Sequence, residues 1–171
     1  MGKWFCPKTP LEEGLKAPDF NLRDAAGTEY SLSDALAKAP VVLAFFKITC
    51  PVCQFTFPFL ERLFKSYGEK AATFLAISQD DALDTREFCT EYGITFPAVL
   101  DADSYAVSNL YGITNVPSIF LVQPGGTITT SSLGFDKAKL ESIAAQLAVA
   151  TKRDPMTLFR AGEVVPSFKP G

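Results

Sequence analysis

The sequence predicts an α/β fold in which helices flank a central mixed β-sheet, and three observations lead there. Apolar runs of strand length, such as Val41–Lys47 and Thr73–Ser78, alternate with segments whose apolar residues recur at helical spacing. A hairpin signal near the C-terminal end, Gln123-Pro124-Gly125-Gly126 between Ser118–Val122 and Thr127–Thr130, adds antiparallel strands. The chain has 171 residues, 47% apolar and 20% charged, which suits one domain with a sizeable core.

Residues 1–17 hold no sustained period. We expect an N-terminal arm at 1–14, a domain at 15–150 and a tail at 151–171 packed on it. Phe20-Asn21-Leu22-Arg23 and Thr28-Glu29-Tyr30-Ser31-Leu32 flank Asp24-Ala25-Ala26-Gly27, a short hairpin, and Ser33 is the expected cap of a brief helix to about Ala37. After the Val41–Lys47 strand a helix opens at the cysteines, with Leu60, Leu63, Phe64 and Tyr67 on one face, Gly68 as its stop and Pro58 as an internal kink. Thr73–Ser78 reads as a strand buried on both faces beside the first.

Thr85, Phe88, Cys89 and Tyr92 mark the next helix, stopped by Gly93. Phe96-Pro97-Ala98-Val99-Leu100 is an edge strand, where proline is tolerated, followed by an Asp101-Ala102-Asp103-Ser104 turn and a helix to Tyr111. Asp136 opens a helix that turns Leu140, Ile143, Ala144 and Leu147 inward, and Asp154-Pro155 is read as the cap of one further helical turn.

Charge excludes some functions. A net charge of −3 without a basic run leaves no footprint for nucleic acid or an anionic membrane surface. No stretch approaches transmembrane length and no signal peptide is visible, so the chain reads as cytoplasmic; a chain trimmed of an export signal, and therefore periplasmic or extracytoplasmic, would read the same.

Chemistry concentrates at Cys50-Pro51-Val52-Cys53. A C-x-x-C pair directly after a buried strand and at a helix N-terminus is the arrangement of a dithiol redox site, because the helix end stabilises a thiolate. Cys50 is then the nucleophile. Pro51 suits the first helical position, and Cys53 lies one turn in, where the two sulfurs can close a disulfide. Lys47 tunes the Cys50 thiol if its ammonium points at the site; otherwise it is a solvated strand-end lysine.

The order of strand, C-x-x-C, Pro58-bearing helix, strand, helix, and then Asn115-Val116-Pro117-Ser118 before a hairpin resembles the thioredoxin superfamily over roughly residues 15–148. Ala17-Pro18-Asp19-Phe20-Asn21-Leu22 and Glu91-Tyr92-Gly93-Ile94-Thr95-Phe96-Pro97 resemble its peroxiredoxin-related AhpC/TSA branch, most of all thiol-disulfide oxidoreductases of the TlpA and ResA type. The resemblance implies a thioredoxin-like fold with Cys50 as attacking thiol, Cys53 as resolving thiol and Pro117 as a cis-proline beside them. It places a substrate's extended segment on the Val116 backbone, next to Pro51 and Val52. It implies no cofactor beyond a redox-active Cys50–Cys53 disulfide and no metal. The partners it implies are a disulfide-bearing protein and a separate thiol reductant or oxidant.

The chain departs from the family pattern where acids are common. Ala44 stands at the place of a buried Asp in many thioredoxins, Thr49 at that of a Trp, and Thr56 where the TlpA and ResA type often has Glu; there is no histidine to serve as base.

Two other functions compete. A peroxiredoxin-like peroxidase would put Cys53 in the peroxidatic place, yet no arginine lies between Asn115 and Thr130 to assist it. A non-enzymatic structural or metal-binding thiol module is disfavoured by the lack of four ligands at metal-like spacing. Cys89 reads as a buried apolar residue, Cys6 as part of the arm or a free thiol, and Phe55, Phe57, Phe59 and Phe64 as core or as a rim around Cys50.

Overall fold

The computed structural model describes residues 7–68 and 71–171, and Cys6 lies outside them. A hairpin of β1 (Asn21–Arg23) and β2 (Glu29–Ser31) comes first, then α1 (Leu32–Leu36). The central elements follow as β3 (Val41–Phe46), α2 (Pro51–Tyr67), β4 (Thr73–Ser78), α3 (Ala82–Glu91), β5 (Ala98–Leu100) and α4 (Ala106–Leu110). The chain continues through β6 (Ser118–Val122), β7 (Ile128–Leu133), β8 (Phe135–Asp136), α5 (Lys137–Thr151) and β9 (Phe168–Lys169).

Five strands form the central sheet in the order β5-β4-β3-β6-β7. β3, β4 and β5 run parallel, whereas β6 and β7 pair antiparallel, so the sheet is mixed as expected. Every residue of β3 is buried because the strand is central and both faces of the sheet are covered. Its alternation divides the core. Val42, Ala44 and Phe46 meet α2, α3 and α5 on one face, while Val41, Leu43 and Phe45 meet Leu32, Val107 and Tyr111 on the other. Each buried phenylalanine contributes about 1.5–3 kcal/mol through the area it removes from water. Phe46 bears on both neighbouring helices, its ring centroid 4.6 Å from that of Phe57 and 4.8 Å from that of Phe88.

Two local expectations are corrected. The cap of α1 is Ser31, whose hydroxyl accepts from Asp34 N–H at 3.1 Å, while Ser33 lies inside the helix and its own N–H donates to Asp19. No helical turn forms at Asp154-Pro155. The Tyr67 hydroxyl donates to the Asp154 carbonyl and accepts from Met156 N–H, and the tail continues through a turn at 161–162 to β9. Leu158 is buried beside α2, and Arg62 holds the segment by donating to the Leu158 carbonyl and pairing with Glu163 at 2.6 Å. That pairing pulls the Glu163 carboxyl down to about 2.

Candidate active site

The site forms where β3 ends. Its parallel neighbour β4 ends at the same level, Phe46 pairing with Ser78, and both chains leave the sheet toward one side. Ile48 is pinned there twice: its N–H donates to Asp80 Oδ2 at 2.8 Å, and its carbonyl accepts from Gln54 Nε2 at 2.9 Å. The pinned loop delivers Cys50 as the N-cap of α2, in extended backbone at φ −84° and ψ 113°, with exposed Pro51 at the first helical position.

At the cap the side-chain acceptor is sulfur. Cys50 Sγ accepts from Cys53 N–H at 3.2 Å, so one of the amides a helix start leaves unpaired is aimed at the thiol and stabilises negative charge on it. The Cys50 thiol in turn donates to the Val116 carbonyl at 3.2 Å. The Val116–Pro117 peptide is cis, and Pro117 is buried while Val116 is half-buried. Val52, Cys50 and Val116 pack on the α2 side of the core.

Cys53 has a different environment. It is 0% exposed, and burial pushes its thiol far above the ordinary range, with the neighbouring Cys50 sulfur and the Asp80 charge acting in the same direction and the Lys47 backbone amide against it. The two thiols are free, with Cys50 half-buried. Cys50 is thus the accessible sulfur and Cys53 the hidden one.

The structure brings Cys50, Pro51, Val52, Cys53, Val116 and Pro117 together. Lys47 sits at the loop's start, where its carbonyl accepts from Cys50 N–H; among the described residues its ammonium makes no hydrogen bond to either sulfur. Thr56 is buried with its hydroxyl spent on the Val52 carbonyl at 2.6 Å, and Ala44 is buried in β3, so neither place supplies a proton acceptor. Of the phenylalanine quartet, Phe57 and Phe59 are core, whereas Phe55 and Phe64 are half-buried. Among the described residues no three His, Cys, Asp or Glu side chains are placed to hold a metal ion, and no helix is long and apolar enough to cross a membrane.

Sequence reasoning missed Asp80 and Gln54. The available signal was position: Asp80 follows the C-terminal end of a parallel strand, where α/β sheets place their functional loops.

Comparison with known proteins agrees with this geometry. The model of the AhpC/TSA family matches residues 14–131. The chain belongs to the AhpC/TSA family. Within that family it is 32% identical to the thiol-disulfide oxidoreductase ResA of Geobacillus thermodenitrificans over 126 residues, 73% of this chain and 71% of the relative. To ResA of Bacillus subtilis it is 28% identical over 160 residues, 93% of this chain and 82% of the relative. The solved thioredoxin domain of a thiol-disulfide oxidoreductase from Bacteroides vulgatus superposes with a TM-score of 0.70 at 26% identity, covering 80% of this chain and 97% of that one. A thiol:disulfide interchange protein from a Bacteroides species gives 0.69 at 26%, covering 80% and 91%. The fold is thioredoxin-like.

Proposed function

We propose that this thiol-disulfide oxidoreductase works by dithiol–disulfide exchange, with Cys50 as nucleophile and Cys53 as resolving thiol. The observation that carries the proposal is the Cys50 sulfur at the α2 cap, held between the Cys53 amide and the Val116 carbonyl. Cys50 thiolate attacks one sulfur of a substrate disulfide, and that bond breaks as a mixed disulfide forms. The departing substrate thiolate takes the proton that Cys53 must lose. Cys53 then attacks Cys50 Sγ, the second substrate thiol leaves, and two electrons have passed from the chain to the substrate. A separate thiol reductant reopens the Cys50–Cys53 disulfide, and the same steps reversed oxidise a dithiol partner.

The leaving thiolate matters because no carboxylate or imidazole occupies the usual places. Substrate proteins bearing disulfides would lay an extended segment along Val116, between Pro117 and the Pro51-Val52 start of α2. No organic cofactor or metal is required for these steps.

The peroxidase is weaker on the same geometry. Cys53 would be its peroxidatic sulfur, yet it is fully buried and its thiol is pushed upward, the reverse of what a reactive thiolate needs. Redox-buffer titration with alkylation and mass spectrometry at each step separates the two functions. Exchange gives one reversible two-thiol transition confined to Cys50 and Cys53. A sulfenic acid formed rapidly at Cys53 under peroxide, or failure of the pair to close at any potential, would overturn it.

A further inference from the structure

After leaving α5 the tail crosses α2 and returns to the mouth of the site. Phe159 packs against Phe59 and Phe135 with ring centroids 5.0 and 6.0 Å away, and this anchors the crossing. Beyond it the Arg62–Glu163 pair and half-buried Val165 hold the chain, and past Val165 backbone contacts join in. The Ser167 carbonyl accepts from Lys137 N–H at 3.0 Å, and β9 pairs antiparallel with β8, Lys169 opposite Phe135 and Phe168 opposite Asp136.

Two glycines mark how near the segment comes. A Cβ at Gly134, whose φ is +72°, would fall 2.3 Å from the Lys169 carbonyl oxygen, so only glycine admits the strand at this point. A Cβ at Gly171 would fall 2.3 Å from the Val116 carbonyl oxygen and 3.4 Å from its nitrogen. Gly171 therefore lies against the main chain of the residue whose carbonyl meets the Cys50 thiol. Asn115 Nδ2 donates to the Gly171 oxygen at 3.2 Å, and Lys169 Nζ stands 4.5 Å from the centre of the Phe55 ring, covering the half-buried phenylalanine of the rim.

We propose that residues 168–171 are a specificity-determining strap: they occupy the Val116 main-chain edge on which an extended disulfide-bearing peptide would lie. A small disulfide reaches Cys50 with the strap in place, whereas a protein substrate has to displace it. The inference rests on the Cys50 and Val116 roles proposed above. The strap's own contacts suit exchange. A two-residue strand pairing, one amide hydrogen bond and a cation over a ring are replaced by the peptide's own backbone and side chains, while the Phe159 and Arg62 anchors stay seated.

The test compares the 171-residue chain with a variant lacking residues 168–171 on two substrates, insulin and hydroxyethyl disulfide. If the displaced state is populated on the order of 10%, kcat/KM for insulin rises about tenfold in the shortened chain. The value for hydroxyethyl disulfide stays within about twofold, since the nucleophile is untouched. Lys169→Ala, which keeps the chain length and loosens the strap, moves the insulin value the same way by less, and it decides the matter if the shortened chain folds poorly. Equal change on both substrates, or no rise with insulin, would overturn the strap. Cys50→Ser tested in the full chain separates the two levels: retained exchange there refutes the nucleophile assignment, while its loss with an unchanged substrate ratio refutes the strap alone.

Discussion

Cys50 and Cys89 are both half-buried free thiols on helices of the same sheet face, and the two helices use them in opposite ways. Cys50 caps α2, so its sulfur meets an amide hydrogen that the helix start leaves without a partner. Cys89 lies inside α3, where the backbone amides are engaged within the helix, and burial with the nearby Glu61 charge pushes its thiol up to about 11. The cleft beside Cys89, about 410 Å³ and lined also by Arg86 and Phe96, contains none of the residues around Cys50. Two half-buried thiols thus stand in unlike surroundings, and the difference lies in the direction in which the nearest amides point.

The sharpest way to break this comparison is to remove each sulfur in turn. Cys50→Ser lowers disulfide exchange by about 10³-fold or more in a small-disulfide assay, because the attacking atom is gone. Cys53→Ser keeps the first attack and stops at a mixed disulfide on Cys50, visible as the added mass of the substrate thiol. Retention of turnover in Cys50→Ser would move the chemistry to another sulfur.

A second, smaller effect is on stability. The Cys53 thiol is raised above its unfolded value of 9.0, so the folded chain keeps a proton that the unfolded chain releases. The Cys53 contribution to stability is therefore full below about pH 9 and falls as pH rises above it, and Cys89 adds in the same direction. Urea unfolding of the reduced protein from pH 7.5 to 10.5 should show this fall, and Cys53→Ala should flatten it. A slope unaffected by that substitution would place the titration elsewhere.

The smallest expected effect is at Cys89. Cys89→Ser leaves exchange within about twofold, and iodoacetamide at pH 7 labels Cys89 at least about tenfold more slowly than Cys50, read by peptide mass mapping. Comparable labelling would show that the helix end confers nothing.

What the sequence reveals of this site follows from which contacts are written in side chains. β3, the C-x-x-C and α2 are legible because a buried run, a proline fit for the first helical turn and an apolar face at 3.6-residue spacing all agree locally. The α1 cap is misassigned because two serines stand two residues apart at plausible positions, and Asp19, fourteen residues from Ser33, takes the Ser33 N–H while Ser31 accepts from Asp34. Asp80 and Gln54 meet at Ile48 from separate elements, a convergence that only tertiary pairing creates. The approach of Gly171 to Val116 is made by backbone, which leaves no hydrophobic period to read.

The Cys50–Val116 contact couples two events that are usually described apart. The Val116 carbonyl is satisfied by a hydrogen that exists only while Cys50 is protonated. Ionisation of the sulfur strips that carbonyl of its donor and leaves two electron-rich atoms facing each other 3.2 Å apart. Under the roles proposed above, a peptide N–H arriving at Val116 would supply the donor that the carbonyl has lost. On the proposed roles, the substrate's own backbone would then stand in for the hydrogen that the attacking sulfur gives up.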